Sequence, residues 1–130
     1  MHVASGAAGG ALAGSRLGAT LVGPVLHAAG DLIPHQDIAS RRFEIVSGLA
    51  LLGLVAAARG PLDPAVFGAA AAAAPDLEHV LPFPRPGGRK LFPTHRFHGW
   101  HRSGGFPAWT QLLAAGVVVG VLIRPRTFAA

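Results

Sequence analysis

Histidine stands at positions 2, 27, 35, 79, 95, 98 and 101 of a chain that has only six acidic residues. Four of those acids, Asp31, Asp37, Asp76 and Glu78, lie within a few residues of a histidine. Imidazole beside carboxylate is a donor set for zinc, manganese, iron or nickel. Cysteine is absent, which excludes thiolate sites and disulfides alike. The donors fall into three clusters. His27-x-x-x-Asp31 sets two donors on one helix face, close enough to share an ion, and His35 follows just past Pro34. In Asp76-Leu77-Glu78-His79, Asp76 and His79 can point the same way from a helix. His95, His98 and His101 recur every third residue.

Each cluster also has a plainer reading. His27 and Asp31 can be a structural pair, Asp76 a favourable charge in the first turn after Pro75, and the three later histidines a solvated, pH-responsive patch. Together they favour metal, because a carboxylate in so apolar a chain needs compensation. The candidate ligands are His27, Asp31, His35, Asp76, Glu78, His79, His95, His98 and His101. At three or four ligands per zinc, that inventory serves one to three ions. A metal-acidified water is the expected nucleophile, Glu78 the general base if it stays unligated, and Arg96 and Arg102 the cations for an anionic substrate. No Ser/His/Asp system, phosphate-binding loop or dinucleotide fingerprint is present.

The elements that must position these groups are apolar. Of 130 residues, 51% are hydrophobic and 13% charged, with a net charge of +5 and a mean hydropathy of +0.45. A typical soluble domain carries about 25% charged residues. Disorder is thereby excluded, and either a membrane or a partner is expected to cover apolar surface. The first charge is Arg16, so no basic leader of a secretory signal is expected. Gly6, Gly10, Gly14 and Gly18 recur every fourth residue and predict either a close-packed helix face, available also to a second copy in a homo-oligomer, or a flexible lead-in. Gly23-Pro24 predicts a break, followed by a helix over 24–33 that Pro34 stops. An apolar helix is expected over 43–58. Asp63-Pro64 reads as a cap and first turn of another, divided at Pro75 from DLEHVL. An irregular loop spans 82–105. The uncharged stretch 103–123, ending at Arg124-Pro125-Arg126, is long enough for a bilayer span of about 20 residues.

The expected fold is all-α: a compact bundle of four to five apolar helices forming a single domain, embedded in a membrane, with a metal site at one end. Up-and-down connections gather six of the seven histidines at that end, together with Arg41, Arg42, Arg85, Arg89, Lys90, Arg96 and Arg102. The positive-inside rule then turns the histidine end toward the cytoplasm. The Ala- and Arg-rich composition suggests a GC-rich bacterium, and so the inner membrane. His2 joins the site only if the first segment begins at the same end.

PDLEH (Pro75, Asp76, Glu78, His79) and HRFHGWHRS (His95, Arg96, His101, Ser103) resemble the motifs of the predicted bacterial membrane-bound metal-dependent hydrolases, over roughly residues 2–123. Glu78 stands where that family has aspartate, and His98 is an addition to the second motif. The segment HAAGDLIPH (His27, Asp31, His35) is similar to the zinc-binding helix of zinc-dependent phospholipases C and fungal single-strand nucleases. There the matching His and Asp hold one zinc and the following His another. The resemblance implies a zinc-dependent hydrolase acting on a phosphoester such as a phospholipid, with membrane lipid as partner. The alternative is a non-catalytic metal-binding or transport-related membrane protein. Nucleic acid is not an expected partner, because only two tryptophans and seven phenylalanines accompany the basic residues.

Overall fold

The computed structural model describes residues 1–124, so Pro125 and Arg126 lie outside the described residues. Among these the chain is helical: α1 (His2–Ala13), α2 (Arg16–Leu32), α3 (Arg41–Arg59), α4 (Pro64–Ala73), two single-turn helices α5 (Leu77–Val80) and α6 (Pro93–Arg96), and α7 (Ala108–Leu122). The local signals are conventional at two starts. Asp63 accepts from Ala65 N at 2.8 Å ahead of Pro64, and Ser15 accepts from Gly18 N at 3.1 Å. The second of these moves a boundary: α2 begins at Arg16, and Pro24 lies inside it instead of opening a new helix. Gly23, the residue before Pro24, packs against Ala71 and Ala72 of α4, and that contact outweighs the single backbone bond a proline removes.

α1, α2 and α4 pack on one another, with α3 and α7 laid against them. Their core is built from small residues. Ala4, Ala7, Ala19, Ala65, Ala69 and Ala72 are fully buried, joined by Val55, Val119 and Ala115. The closest approach is between α1 and α4, where a Cβ on Gly68 would run into the Gly6 carbonyl oxygen and lie 2.8 Å from Gly10 Cα. Two of the four regularly spaced glycines thus line a seam inside the chain. The other two do not continue it: Gly14 ends α1 in the left-handed conformation (φ 67°), and Gly18 lies in the first turn of α2.

Large apolar side chains lie outside. Leu17, Leu21 and Val25 form one exposed row on α2, and Trp109, Leu113, Val117 and Val121 another on α7. Small residues within and large apolar ones without reverse the usual order of a water-facing bundle. Among the described residues, however, no helix is long and apolar enough to cross a membrane, so the expected spanning bundle lacks its span. The uncharged stretch 103–123 is not one helix. Gly104 and Gly105 adopt positive φ, and α7 starts only after Pro107, which leaves 15 helical residues. α3 has 19 residues but includes Arg41, Arg42, Glu44 and Arg59.

Candidate metal centre

The buried end of this bundle is polar. His27, Val55, Val119, Thr94 and Asp31 are the largest fully buried side chains. His27 and Asp31 occupy one face of α2, four residues apart, and His27 Nε2 lies 3.2 Å from Asp31 Oδ2. α4 runs toward the same end. Pro75 tightens its continuation into a 3-10 turn, Ala74–Asp76, which delivers Asp76 beside His27. The single turn of α6 brings Thr94 and His95 across from the loop, and the Thr94 hydroxyl donates to Asp31 Oδ2.

Two imidazole nitrogens meet between two carboxylates. His27 Nε2 and His95 Nε2 are 3.3 Å apart, and they lie 3.2 and 3.5 Å from Asp31 Oδ2. Each is also 3.7 Å from Asp76 Oδ1. His27, Asp31 and His95 thus form one group of three donors, and Asp76 approaches the same two imidazoles outside that group. A tetrahedral zinc with ligands about 2.0–2.2 Å away sets its ligand atoms about 3.3–3.6 Å apart. The tautomers follow from the other ring nitrogens. His27 Nδ1 lies 2.7 Å from Ala72 O, which can only accept. His95 Nδ1 lies 2.6 Å from Glu78 Oε1. With both protons held on Nδ1, each neutral ring turns a bare lone pair toward the other and toward two carboxylates. That arrangement calls for a cation. In the metal-free protein a proton serves in part: burial opposes charge on His27, but the hydrogen bond to Asp31 and the charges of Asp76 and Asp31 hold it above its ordinary range. Asp31 is held far below the usual carboxylate range: burial acts against this and is outweighed by hydrogen bonds from His2, His27 and Thr94.

A second group lies nearer the surface. The segment after α2 pairs with residues 102–106: His35 N donates to Arg102 O (3.2 Å), Gln36 N to Phe106 O (2.9 Å), and Phe106 N to Pro34 O (3.0 Å). Gly105 is needed at this crossing, where a Cβ would strike the Pro34 carbonyl. The pairing sets His35, Asp37 and His101 together, with Asp37 Oδ1 3.6 Å from each imidazole Nε2. His35 Nδ1 is tied to Ile33 O at 2.7 Å, again freeing Nε2. His101 Nε2 is also 3.9 Å from Asp31 Oδ1, so Asp31 faces both groups through different oxygens. Two further groupings, His2 with His27 and Asp76, and Asp76 with His79 and His95, each overlap the inner one through one imidazole.

Several expectations need correction. Glu78 is not a free base. It is buried and accepts from Leu91 N (2.6 Å), Phe92 N (3.3 Å) and His95 Nδ1, so it positions His95, and it belongs to no ligating group among the described residues. Burial pushes its acidity one way, and these three donors outweigh it and keep the carboxyl below its ordinary range. His98 is exposed and belongs to no ligating group among the described residues, because α6 ends at Arg96 and Gly99 turns the chain at φ 81°. Arg96 and Arg102 are also exposed: the Arg96 guanidinium lies over Phe97, and Arg102 enters the site only through its backbone, donating to Asp31 O at 2.9 Å.

Three residues outside the expected set do enter. His2 stacks on His27 with ring centroids 3.9 Å apart and reaches Asp31 Oδ1 at 3.3 Å, so α1 does begin at the histidine end. Thr94 holds Asp31. Lys90 Nζ lies 2.9 Å from His79 Nδ1. Thr94 and Lys90 flank the histidines in sequence, but nothing in their spacing separates them from other loop residues. No protein-family model, curated protein or solved structure matches the chain.

Proposed function

We propose that the chain is a zinc-dependent hydrolase of phosphoesters that works against a lipid surface. The observation that carries this reading is the buried group of three donors, His27 Nε2, His95 Nε2 and Asp31 Oδ2, spaced 3.2–3.5 Å apart as neighbouring ligands of one zinc are. Zinc, when bound, supplies a water acidified to a pKa near 7 and a Lewis acid for a phosphoryl oxygen. The inner group, His27, Asp31 and His95, offers three protein donors. The outer group, His35, Asp37 and His101, offers three and leaves a position open, as catalytic sites do. Ala72 O, Ile33 O and Glu78 fix the imidazole orientations. Lys90 replaces Arg96 and Arg102 as the cation assigned to the substrate anion. The exposed rows on α2 and α7 support contact with lipid, at the bacterial inner membrane.

The test is zinc content measured alongside phosphodiesterase activity. Wild type should carry zinc and turn over, whereas His27→Ala and Asp31→Ala should lose both. A preparation from zinc-supplemented medium that holds no metal sinks the proposal. Carbonate extraction of native membranes tests the lipid contact separately.

A second reading is a non-catalytic metal-binding or transport-related protein, favoured by one feature: His27 and Asp31 of the inner group are fully buried, as suits a closed structural site. Stoichiometric zinc without turnover on any phosphoester would select it.

A further inference from the structure

Beside the histidine cluster, the start of α1, the end of α2 and one side of α7 line an open groove of about 310 Å³. Ile33, Phe106 and Ala114 make its walls apolar. The polar side chains on its α7 side are already satisfied: Gln111 Nε2 donates to Gln36 O at 2.8 Å, and the Thr110 hydroxyl to Pro107 O at 2.7 Å. His2 and His35 belong both to this groove and to the donor groups, through Asp31 and Asp37. His2 Nδ1, on the side of the ring that faces Gly30 in the groove wall, is buried without a hydrogen-bond partner. An apolar slot therefore abuts the candidate ions, with one unpaired polar atom at the junction.

The geometry points to a substrate class: this slot takes the single alkyl or acyl chain of an amphiphilic phosphoester whose anionic head lies at the histidine cluster. The inference rests on the phosphoester reading above and narrows it. A peptide would bring a backbone donor and acceptor with every residue, and walls whose polar groups are already satisfied cannot meet them. The volume lies at the lower end of ligand pockets, about 300–1,000 Å³, which suits one chain better than two. Charge at the other end is complementary to an anion: Arg41 donates to His79 O at 3.4 Å, and Lys90 reaches His79 Nδ1.

The experiment is calorimetric titration of the zinc-loaded protein with decyl phosphate, below its micelle concentration, and with ethyl phosphate. Each buried methylene is worth roughly fourfold in affinity, so decyl phosphate should bind at least about tenfold more tightly. Ala114→Trp, and independently Thr110→Phe, should abolish that preference while leaving zinc content and ethyl phosphate affinity unchanged. Leu21→Ser, on the exposed face of α2, should leave the preference intact. Equal affinity for the two phosphates overturns the slot, as does a preference that survives both filling substitutions. Failure of the functional reading looks different: zinc or ethyl phosphate fails to bind, yet metal-free wild type still takes up decanol and the filled variants do not.

Discussion

Glu78 Oε1 holds the Nδ1 proton of His95 at 2.6 Å, and that bond aims His95 Nε2 at His27, Asp31 and Asp76. A carboxylate behind a ligating imidazole fixes both its tautomer and its direction. Glu78→Gln should therefore weaken zinc binding about 10–100-fold, the usual cost of losing such a partner, measured by competition with a chromogenic chelator. A general-base role makes the opposite forecast, with kcat reduced and zinc affinity untouched.

His95 and His98 should differ sharply despite their spacing. His95→Ala removes one of the three donors of the inner group and should cost the protein an ion by elemental analysis. His98→Ala should leave zinc content unchanged and shift stability by no more than about 0.5 kcal/mol, as at most exposed positions.

Asp37 lies between His35 and His101 at 3.6 Å from each. If the outer group holds a separate ion, Asp37→Ala should reduce bound zinc from two equivalents to one and abolish turnover. Retention of both equivalents would remove the outer group from the reading.

The seam between α1 and α4 gives a stability contrast. Gly68→Ala sets a methyl group against backbone atoms of Gly6 and Gly10, which cannot rotate away. Overpacking of this kind costs about 1–3 kcal/mol or more. Gly53→Ala in α3 meets nothing within 4 Å and should stabilise by up to about 1 kcal/mol through helix propensity. Thermal or urea unfolding of both variants reads the difference.

Acid should destabilise the metal-free protein through His2. Burial holds its imidazole below the ordinary value, against the pull of Asp31. Between the folded value and the unfolded value of about 6.5, the unfolded chain binds more protons, so stability falls as pH drops through that window. His79, lowered by burial and by His95 and Lys90, acts in the same sense. His27, raised, acts in the opposite one: its contribution is full below about pH 6.5 and lost as pH rises through its folded value. His2→Asn should therefore flatten the acid limb of the wild-type stability profile by at most about 1.4 kcal/mol per pH unit. An unchanged limb would mean that His2 is not buried neutral.

What the sequence revealed was local. The Asp63 cap, the helical spacing of His27 and Asp31, and the gathering of histidines at one end rest on interactions within a few residues or on alternating helix direction. What it concealed depends on packing at a distance. Pro24 is carried inside α2 because Gly23 meets α4. A spacing of three reads alike in a helix and in a turn, so nothing before the fold distinguishes inward His95 from outward His98. The role of Glu78 emerges only when the loop brings Leu91, Phe92 and His95 to it. The uncharged run 103–123 reads as long enough for a span because Gly104, Gly105 and Pro107 carry no charge either, and hydropathy does not register how they bend a chain.

The glycine seam has a consequence for the donor groups at α1's other neighbour. α1 carries His2 on its first turn, and its position along α4 is fixed by where Gly6 and Gly10 lock against Gly68. A helix displaced by one residue slides about 1.5 Å, nearly half the separation between neighbouring donor atoms. The three glycines thus act as a detent, setting the axial register of α1 so that an imidazole one or two turns away arrives over His27 instead of beside it.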